Sequence, residues 1–490
     1  NWLKNYLDID LQPERVKEIL TYTGLEVEGL ETYESVEGGL EGLVVGKVLE
    51  ARKHDQADNL TVTKVDVGSG EPLNIVCGAP NVAENQKVVV ATPGTMLYGG
   101  EKPFKIKKGK FRGELSEGMI CAEDDNTPVG KPAREYFNIE RDTVFEIDLT
   151  PNRPDGASHI GVARDLAAYL SFHEKETPLQ YPSVEDFAID KPDNPVDVKI
   201  VDKAGCKRYS GITVTGIKVQ ESPQWLKNRL LSIGIQPINN VVDITNYVLH
   251  ETGHPLHAFD VDKIDGKKVL IQTLPEETPF KALDASIISL SEEDLMICNE
   301  NKGMCIAGVF GGYESGVQEE TTSVFIESAY FNPLYIRKTA HRHGLSTDAS
   351  YRFERGTDPN ITIYALKRAA VLIKEVAGGH ISSKIVDEYP EPIPHFDVKL
   401  RFKHIHRILG ISIPPKAIRS ILKLLDIEIA GETDDGLRVK VPPYRADEQR
   451  EADVIEEILR IYGYNQIPYI DQVNSAIAYV NKPDEVKISE

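Results

Sequence analysis

Three stretches of the chain carry residue types that could do chemistry. The first, His250-Glu251-Thr252-Gly253-His254, spells the H-E-x-x-H of zinc peptidases. That chemistry needs both imidazoles on one continuous helical turn, sharing a face toward the metal. Gly253 weakens a helix and Pro255 turns His254 away from helical angles, so the zinc reading is set aside. Asn239–Asp260 reads instead as a helix with Val241, Val242, Ile244, Tyr247, Val248 and Leu249 on its apolar face. A proline-set loop then presents His257.

The second stretch holds four carboxylates, Asp447, Asp453, Glu456 and Glu457. They precede and line a helix whose other face is Val454, Ile455, Ile458, Leu459 and Ile461. Carboxylates without His or Cys suit a hard cation such as Mg2+. Acids in a helix's first turns are also favoured by its dipole alone, which would need no metal. The third stretch is basic: Lys102, Lys105, Lys107, Lys108, Lys110 and Arg112, with Phe104 and Phe111 interleaved. Cations that track phosphates and aromatics that stack bases are what a single-strand RNA groove needs. A solvated lysine-rich hairpin is the plainer alternative.

A net charge of −21 disfavours a broad nucleic-acid surface, so any RNA contact must come from such a local patch. At 490 residues, several domains are expected. No apolar run approaches the roughly 18 residues of a membrane span, and no signal peptide opens the chain. Five cysteines, none in C-x-x-C spacing, argue for a reducing cytoplasm and against a disulfide frame. No G-x-S-x-G, P-loop or dinucleotide fingerprint is present, so serine-hydrolase and nucleotide-binding chemistry lack support.

The elements that must position these residues come in blocks. Pro13–Gly29 reads as a helix, a glycine stop and a strand, and it aligns without gaps to Pro415–Gly431. Duplication and convergence on a common pattern both account for that match. From Gly42 to about Asp125 the chain turns to β texture, with short runs separated by Gly, Pro, Asn and Asp, as in a small barrel. Its segments His54–Leu60, Cys77–Asn81 and Gly113–Met119 resemble the tRNA-binding oligonucleotide-binding (OB) barrel attached to several tRNA synthetases. A Pro/Asp-rich linker near Pro178–Pro195 precedes a central domain.

Taken in order, NWLKNY, the barrel, TPNRPD, NNVVDITNYVL, PLHAFD, AGVFGG, IESAYF, STDASYRFERGTDP and PYRADEQREADVIEEILRIYGYNQIP resemble the β subunits of bacterial phenylalanyl-tRNA synthetases. The resemblance covers almost the whole chain. It implies an α+β multidomain fold: a helix–strand module at 1–40 packing with 150–190, an OB-type barrel at 41–149, and an α/β editing domain at 196–390. A second helix–strand module with the acidic cluster would span 395–470, and 471–490 would start a catalytic-like module. It also implies an α2β2 heterotetramer whose α subunit joins phenylalanine to tRNA(Phe) using ATP. This chain would bind tRNA and hydrolyse mischarged tyrosyl-tRNA(Phe).

By motif, Thr245, Asn246, His257, Gly311, Glu327, Thr347 and Ala349 match the family's editing pocket. Glu327, taken as ionised, would accept the tyrosyl hydroxyl. The D-x5-D-x2-E-E spacing matches the family's magnesium site, one ion per β subunit. The barrel's exit near Asp125–Asn126 is shorter than the family pattern. Arg352-Phe353-Glu354-Arg355 mimics the arginine-containing second motif of class II synthetases, but no glycine-rich third motif follows. Arg352 and Arg355 therefore read as structural or RNA-facing. The competing class is a non-enzymatic RNA-binding protein built on the barrel.

Overall fold

A computed structural model of the chain describes residues 1–98, 102–123, 131–133 and 139–468. The short barrel exit at Asp125–Asn126 and the expected module start at 471–490 lie outside these residues.

The helix Pro13–Tyr22 opens with proline at its first position, where the missing N–H costs nothing. Val16, Ile19 and Leu20 face inward. Gly24, at φ +84°, ends the helix, and the Leu25 amide reaches back to the Leu20 carbonyl at 2.9 Å. The strand Glu26–Glu34 follows. The helix Pro415–Leu424 repeats every step: Ile418, Ile421 and Leu422 face inward, and Asp426 takes the left-handed position at φ +60°. There the Ile427 amide reaches Leu422 at 2.9 Å. Both following strands carry a bulge at the same place, Val27/Gly29 and Ile429/Gly431. The sequence match therefore extends to geometry.

The copies differ in what joins their paired strands. Glu428–Thr433 pairs with Gly436–Val441 through a short turn, whereas Glu26–Glu34 pairs with Arg141–Asp148. The β-rich domain is inserted between those two strands. It is a curled half-barrel, an antiparallel sheet in the order Met119–Glu123, Lys87–Ala91, Leu43–His54, Ala57–Asp66 and Leu73–Cys77. Val48, Val65, Ile75, Val88 and Val90 fill its concave side.

Each copy continues into an arginine and then a helix carrying an acid. Arg153 Nη2 donates to Asp165 at 2.6 Å, and Arg445 Nη1 donates to Glu457 at 2.7 Å. Each arginine also caps its own copy's first helix, Arg153 on the Thr23 carbonyl and Arg445 on that of Leu425. Arg460 crosses between copies, pairing with Glu457, with Asp165 at 2.9 Å and with the Thr23 carbonyl. The helices Pro13–Tyr22, Pro415–Leu424 and Glu451–Tyr462 all pack on His159–His173.

The central domain sandwiches one sheet between helices and a second sheet. Its strand order is Leu256–Asp260, Ser323–Phe331, Cys206–Thr215, with His380–Ile381 and Val386–Glu388 both on the last strand. Ile212, Val214, Ala258, Val324 and Ile326 face the helices Asn240–Thr252 and Thr362–Ala377. Tyr209, Phe259, Phe325, Ala329 and Phe331 face the second sheet, where Val269, Ile271, Met296 and Ile306 meet them. Period-2 alternation thus feeds two cores at once.

The buried arginines yield the first prediction. Arg445→Ala leaves Glu457 and Glu448 short of a partner in a site closed to water. It should lower unfolding free energy by about 3–5 kcal/mol, as expected when one side of a buried ion pair is removed. Chemical denaturation measures it, and a loss below about 1 kcal/mol would mean that water or a neighbour replaces the guanidinium.

Candidate functional site

The helix Asn240–Thr252 starts where the Asn239 side chain accepts from the amides of Val241 and Val242. It ends at Gly253, φ +78°, so His254 stands outside the helix and the peptidase geometry does not form. Glu251 has a structural task. Its carboxylate accepts from the Tyr6 hydroxyl at 3.1 Å and from Arg368 at 2.9 Å, tying the N-terminal module to the central domain. Trp2 Nε1 extends this chain by donating to the Tyr6 oxygen at 2.7 Å.

Just beyond the break, His257 lies on the strand Leu256–Asp260 directly opposite Glu327 on Ser323–Phe331. Directly opposite on the other side of Glu327 is Gly211. All three point toward the second sheet, because directly paired residues share a face. Gly211 is required there: a Cβ would stand 2.1 Å from Cζ of the Phe325 ring. Gly311, on the second sheet, lies over His257, where a Cβ would come within 3.3 Å of Cε1.

Glu327 is 4 % exposed, and burial pushes its carboxyl up to about 8. It is therefore protonated at neutral pH, which corrects the expectation of an ionised acid. The Tyr209 hydroxyl donates to its Oε2 at 3.2 Å. Burial alone lowers His257 to about 4, leaving a neutral imidazole whose Nε2 has no partner among the described residues. A neutral acid and a neutral base thus face one apolar interior, both with hydrogen-bonding capacity to spare.

Thr347 caps the helix Asp348–Phe353, and its hydroxyl also donates to the Val309 carbonyl at 3.0 Å, two residues before Gly311. Ala349 packs in the same core as Phe325. These contacts bring the Thr347 turn onto the Gly311 strand. Thr245 and Asn246 belong to the helix on the sheet's other face, where the Thr245 hydroxyl donates to its own Val242 carbonyl at 2.7 Å. Among the described residues, no hydrogen bond joins them to His257 or Glu327. A groove of about 1130 Å³ is lined by Arg337, His341, Ser346, Ser350 and Arg355.

Arg352 is structural: it donates to the carbonyls of Ala157 at 3.1 Å and Asp348 at 2.9 Å. Arg355 lies over the Tyr351 ring. The residues that sequence reasoning missed are Tyr209, Gly211 and Phe325. Beside the family motif, the signal for Glu327 was an acid inside the largely apolar run SVFIESAYF.

The four carboxylates are not gathered into one group among the described residues. Glu457 is held between Arg445 and Arg460, whose guanidiniums would repel a cation. Asp453 accepts from the Arg450 amide at 2.8 Å and from its side chain, as a helix-start acid. Asp447 and Glu456 face solvent. Among the described residues, no group of three or more His, Cys, Asp or Glu could hold a metal ion.

The basic stretch does form an exposed face. Lys102, Lys105, Lys107 and Lys110 are exposed, and Phe104 and Phe111 are 47 % and 53 % exposed beside them. Lys108 is paired with Glu117 at 2.8 Å, and Arg112 donates to the Gln56 carbonyl at 2.7 Å. Both hold the short hairpin Gly109–Ser116 in place. No helix among the described residues is long and apolar enough to cross a membrane.

Three family models match the chain: a putative tRNA binding domain over residues 43–144, a B3/4 domain over 205–378, and a tRNA synthetase B5 domain over 398–464. The class is thus a multidomain tRNA synthetase subunit. Phenylalanine–tRNA ligase beta subunits from Bacteroides fragilis and Porphyromonas gingivalis are 52 % and 50 % identical to it, over 97 % and 99 % of this chain. That from Salinibacter ruber is 43 % identical over 96 %. The chain is thus similar to phenylalanine–tRNA ligase beta subunits over nearly its whole length. It spans 60 %, 61 % and 59 % of the length of those three relatives.

Burial of the imidazoles makes acid stability measurable. His159, His250, His254 and His257 fall from an ordinary 6.5 to about 4, 3, 3 and 4. A depressed folded value means that the unfolded chain binds more protons, so stability is present above 6.5 and lost as pH falls toward 3. Melting temperatures of wild type and His254→Phe should therefore diverge in the variant's favour as pH drops from about 6.5 to 4. A constant difference would show that His254 takes up its proton in the fold.

Proposed function

We propose that this chain is the tRNA-binding and editing part of a phenylalanine–tRNA ligase beta subunit. The assembled enzyme, an α2β2 heterotetramer, joins phenylalanine to tRNA(Phe) with conversion of ATP to AMP and diphosphate. That centre, with ATP, belongs to the alpha subunit; a separate Mg2+ ion on this chain would be held by Asp447, Asp453, Glu456 and Glu457, as the family motif implies. The β-rich domain, read as an OB-type barrel, binds tRNA. The central domain hydrolyses tyrosyl-tRNA(Phe). A cytoplasmic location accords with the five free cysteines.

The observation that carries the editing reading is the carboxyl of Glu327, buried between two sheets beside a neutral His257 with Nε2 unspent. Phenylalanine and tyrosine differ by one hydroxyl, which an apolar synthetic pocket rejects by only about a hundredfold. A second site that demands the hydroxyl discriminates in the opposite sense. A tyrosyl ring gives the Glu327 carboxyl a partner. A phenylalanyl ring buries it unpaired, at roughly 1–3 kcal/mol. His257 and Thr347 are available to hold the ester, the terminal ribose or the attacking water, and Gly311 and Ala349 shape the walls; Thr245 and Asn246, on the helix across the sheet, are assigned to the site by family motif alone.

Glu327→Ala should slow hydrolysis of tyrosyl-tRNA(Phe) by about ten- to a hundredfold. Phenylalanylation by the holoenzyme should stay within about twofold. Deacylation of tyrosyl and phenylalanyl esters is the assay. Equal loss on both makes Glu327 structural, and no loss moves the editing site elsewhere.

The exposed lysines carry the RNA half. Replacing Lys105, Lys107 and Lys110 by glutamine should weaken tRNA(Phe) binding. It should also flatten the log–log salt dependence by about 0.7 for each phosphate no longer neutralised. Filter binding across salt concentrations tests this, and an unchanged slope would mean that the lysines are only solvated.

A further inference from the structure

Glu327 does not sit alone in its pocket. Tyr209 comes from the neighbouring strand Cys206–Thr215, two residues before Gly211, which pairs directly with Glu327. The Tyr209 side chain is 0 % exposed, and its hydroxyl is 3.2 Å from Oε2 of Glu327. Among the described residues, Oε1 takes no hydrogen bond. A carboxyl group with one oxygen spent and the other free, in a residue only 4 % exposed, is asymmetric by construction.

We propose that Tyr209 is a specificity-determining positioning residue: by donating to Oε2 it leaves Oε1 as the atom that meets the ring hydroxyl of a tyrosyl ester. This inference rests on the editing reading and deepens it. Burial holds the Tyr209 phenol well above its ordinary value, so it stays protonated and donates at every working pH. With Oε2 occupied as an acceptor, the proton of the neutral acid resides on Oε1 and is donated to the substrate's phenolic oxygen. When Glu327 ionises, the same Oε1 accepts from the phenolic O–H in a charge-assisted bond of different strength, so kcat/KM changes across that titration. In both states a phenylalanyl ring leaves Oε1 without a partner. Removing the Tyr209 hydroxyl frees the carboxyl to turn, and the single presented atom is lost.

The other titratable groups facing Glu327 do not compete with it near neutrality. Cys206 from the Tyr209 strand and Cys305 from the second sheet are pushed well above the ordinary thiol range by burial. His257, from the strand on the other side, is neutral above about 4. Among these groups Glu327 is the one whose value lies near 8, and because both esters carry an α-amine that titrates in the same range, its step is the one that the tyrosyl ester shows and the phenylalanyl ester lacks.

The test uses the full-length holoenzyme. Tyr209→Phe removes one oxygen and keeps the ring that packs the core. In Tyr209→Phe, kcat/KM for tyrosyl-tRNA(Phe) hydrolysis should fall about tenfold, the loss of one hydrogen bond to a carboxyl group. The phenylalanyl ester should change less than about twofold. The hydrogen bond from Tyr209 lowers the Glu327 value, so its loss should move the step in the kcat/KM–pH profile upward from about 8. Glu327→Gln should abolish that step, and in Glu327→Ala, which leaves nothing to orient, adding Tyr209→Phe should cost nothing more. Equal loss on both esters with an unmoved step overturns the proposal, as does full additivity of the two substitutions. Persistence of the step in Glu327→Gln overturns it even if Tyr209→Phe does not fold. Absence of tyrosyl-tRNA hydrolysis by the unmodified holoenzyme overturns instead the editing reading beneath it.

Discussion

Three buried arginines decide how the parts of this chain meet. Arg153, Arg445 and Arg460 face the carboxylates of Asp155, Asp165 and Glu457 where the two helix–strand modules dock. Glu448 makes a fourth acid, but burial raises it to about 8, so at neutral pH three cations meet three anions. Such a cluster gains little over an apolar core, because desolvation offsets most of the attraction. Its effect is on geometry. Each guanidinium also satisfies the open carbonyl at a helix end, Thr23 or Leu425, so helix termination and module docking are a single constraint. A shifted docking would leave charges and carbonyls unpaired together.

That constraint reaches the candidate site through the helix His159–His173. Both modules pack on it, and its own packing continues onto Asn240–Thr252. The His159 Nδ1 lies 2.9 Å from the His250 carbonyl, and Arg352 bridges Ala157 to the turn that follows Thr347. The chain Trp2–Tyr6–Glu251–Arg368 adds a second tie from the N-terminus. The frame beneath His257 is therefore held by polar links as well as by apolar packing.

Within the site, the governing effect is desolvation rather than charge pairing. Glu327 rises and His257 falls for the same reason: neither has an ion partner, and both are covered by two sheets. The outcome is a pair of neutral groups able to donate and accept, suited to reading a hydroxyl. The acidic helix Glu451–Tyr462 shows the opposite outcome. Glu457 stays below the ordinary carboxylate range because Arg445 and Arg460 lie against it. The same residue type serves as a recognition group in one place and as a structural anion in the other.

Local pattern was enough for much of this architecture. The stop at Gly253, the inward faces of the repeated helices and the β texture of the inserted domain depend on residues a few positions apart, and the structure has them as read. The family motifs brought together His257, Glu327, Gly311 and Thr347 from four segments. What the sequence could not contain was the identity of distant neighbours. The partners of Glu457 include Arg445, and Glu327 takes its hydrogen bond from Tyr209 at a separation of 118 residues. In the sequence, nothing marks Glu457 as the one of the four acids that two guanidiniums would face. Whether a carboxyl is ionised depends on what covers it and what touches it. Both are properties of the packed fold, so tertiary structure alone decided them.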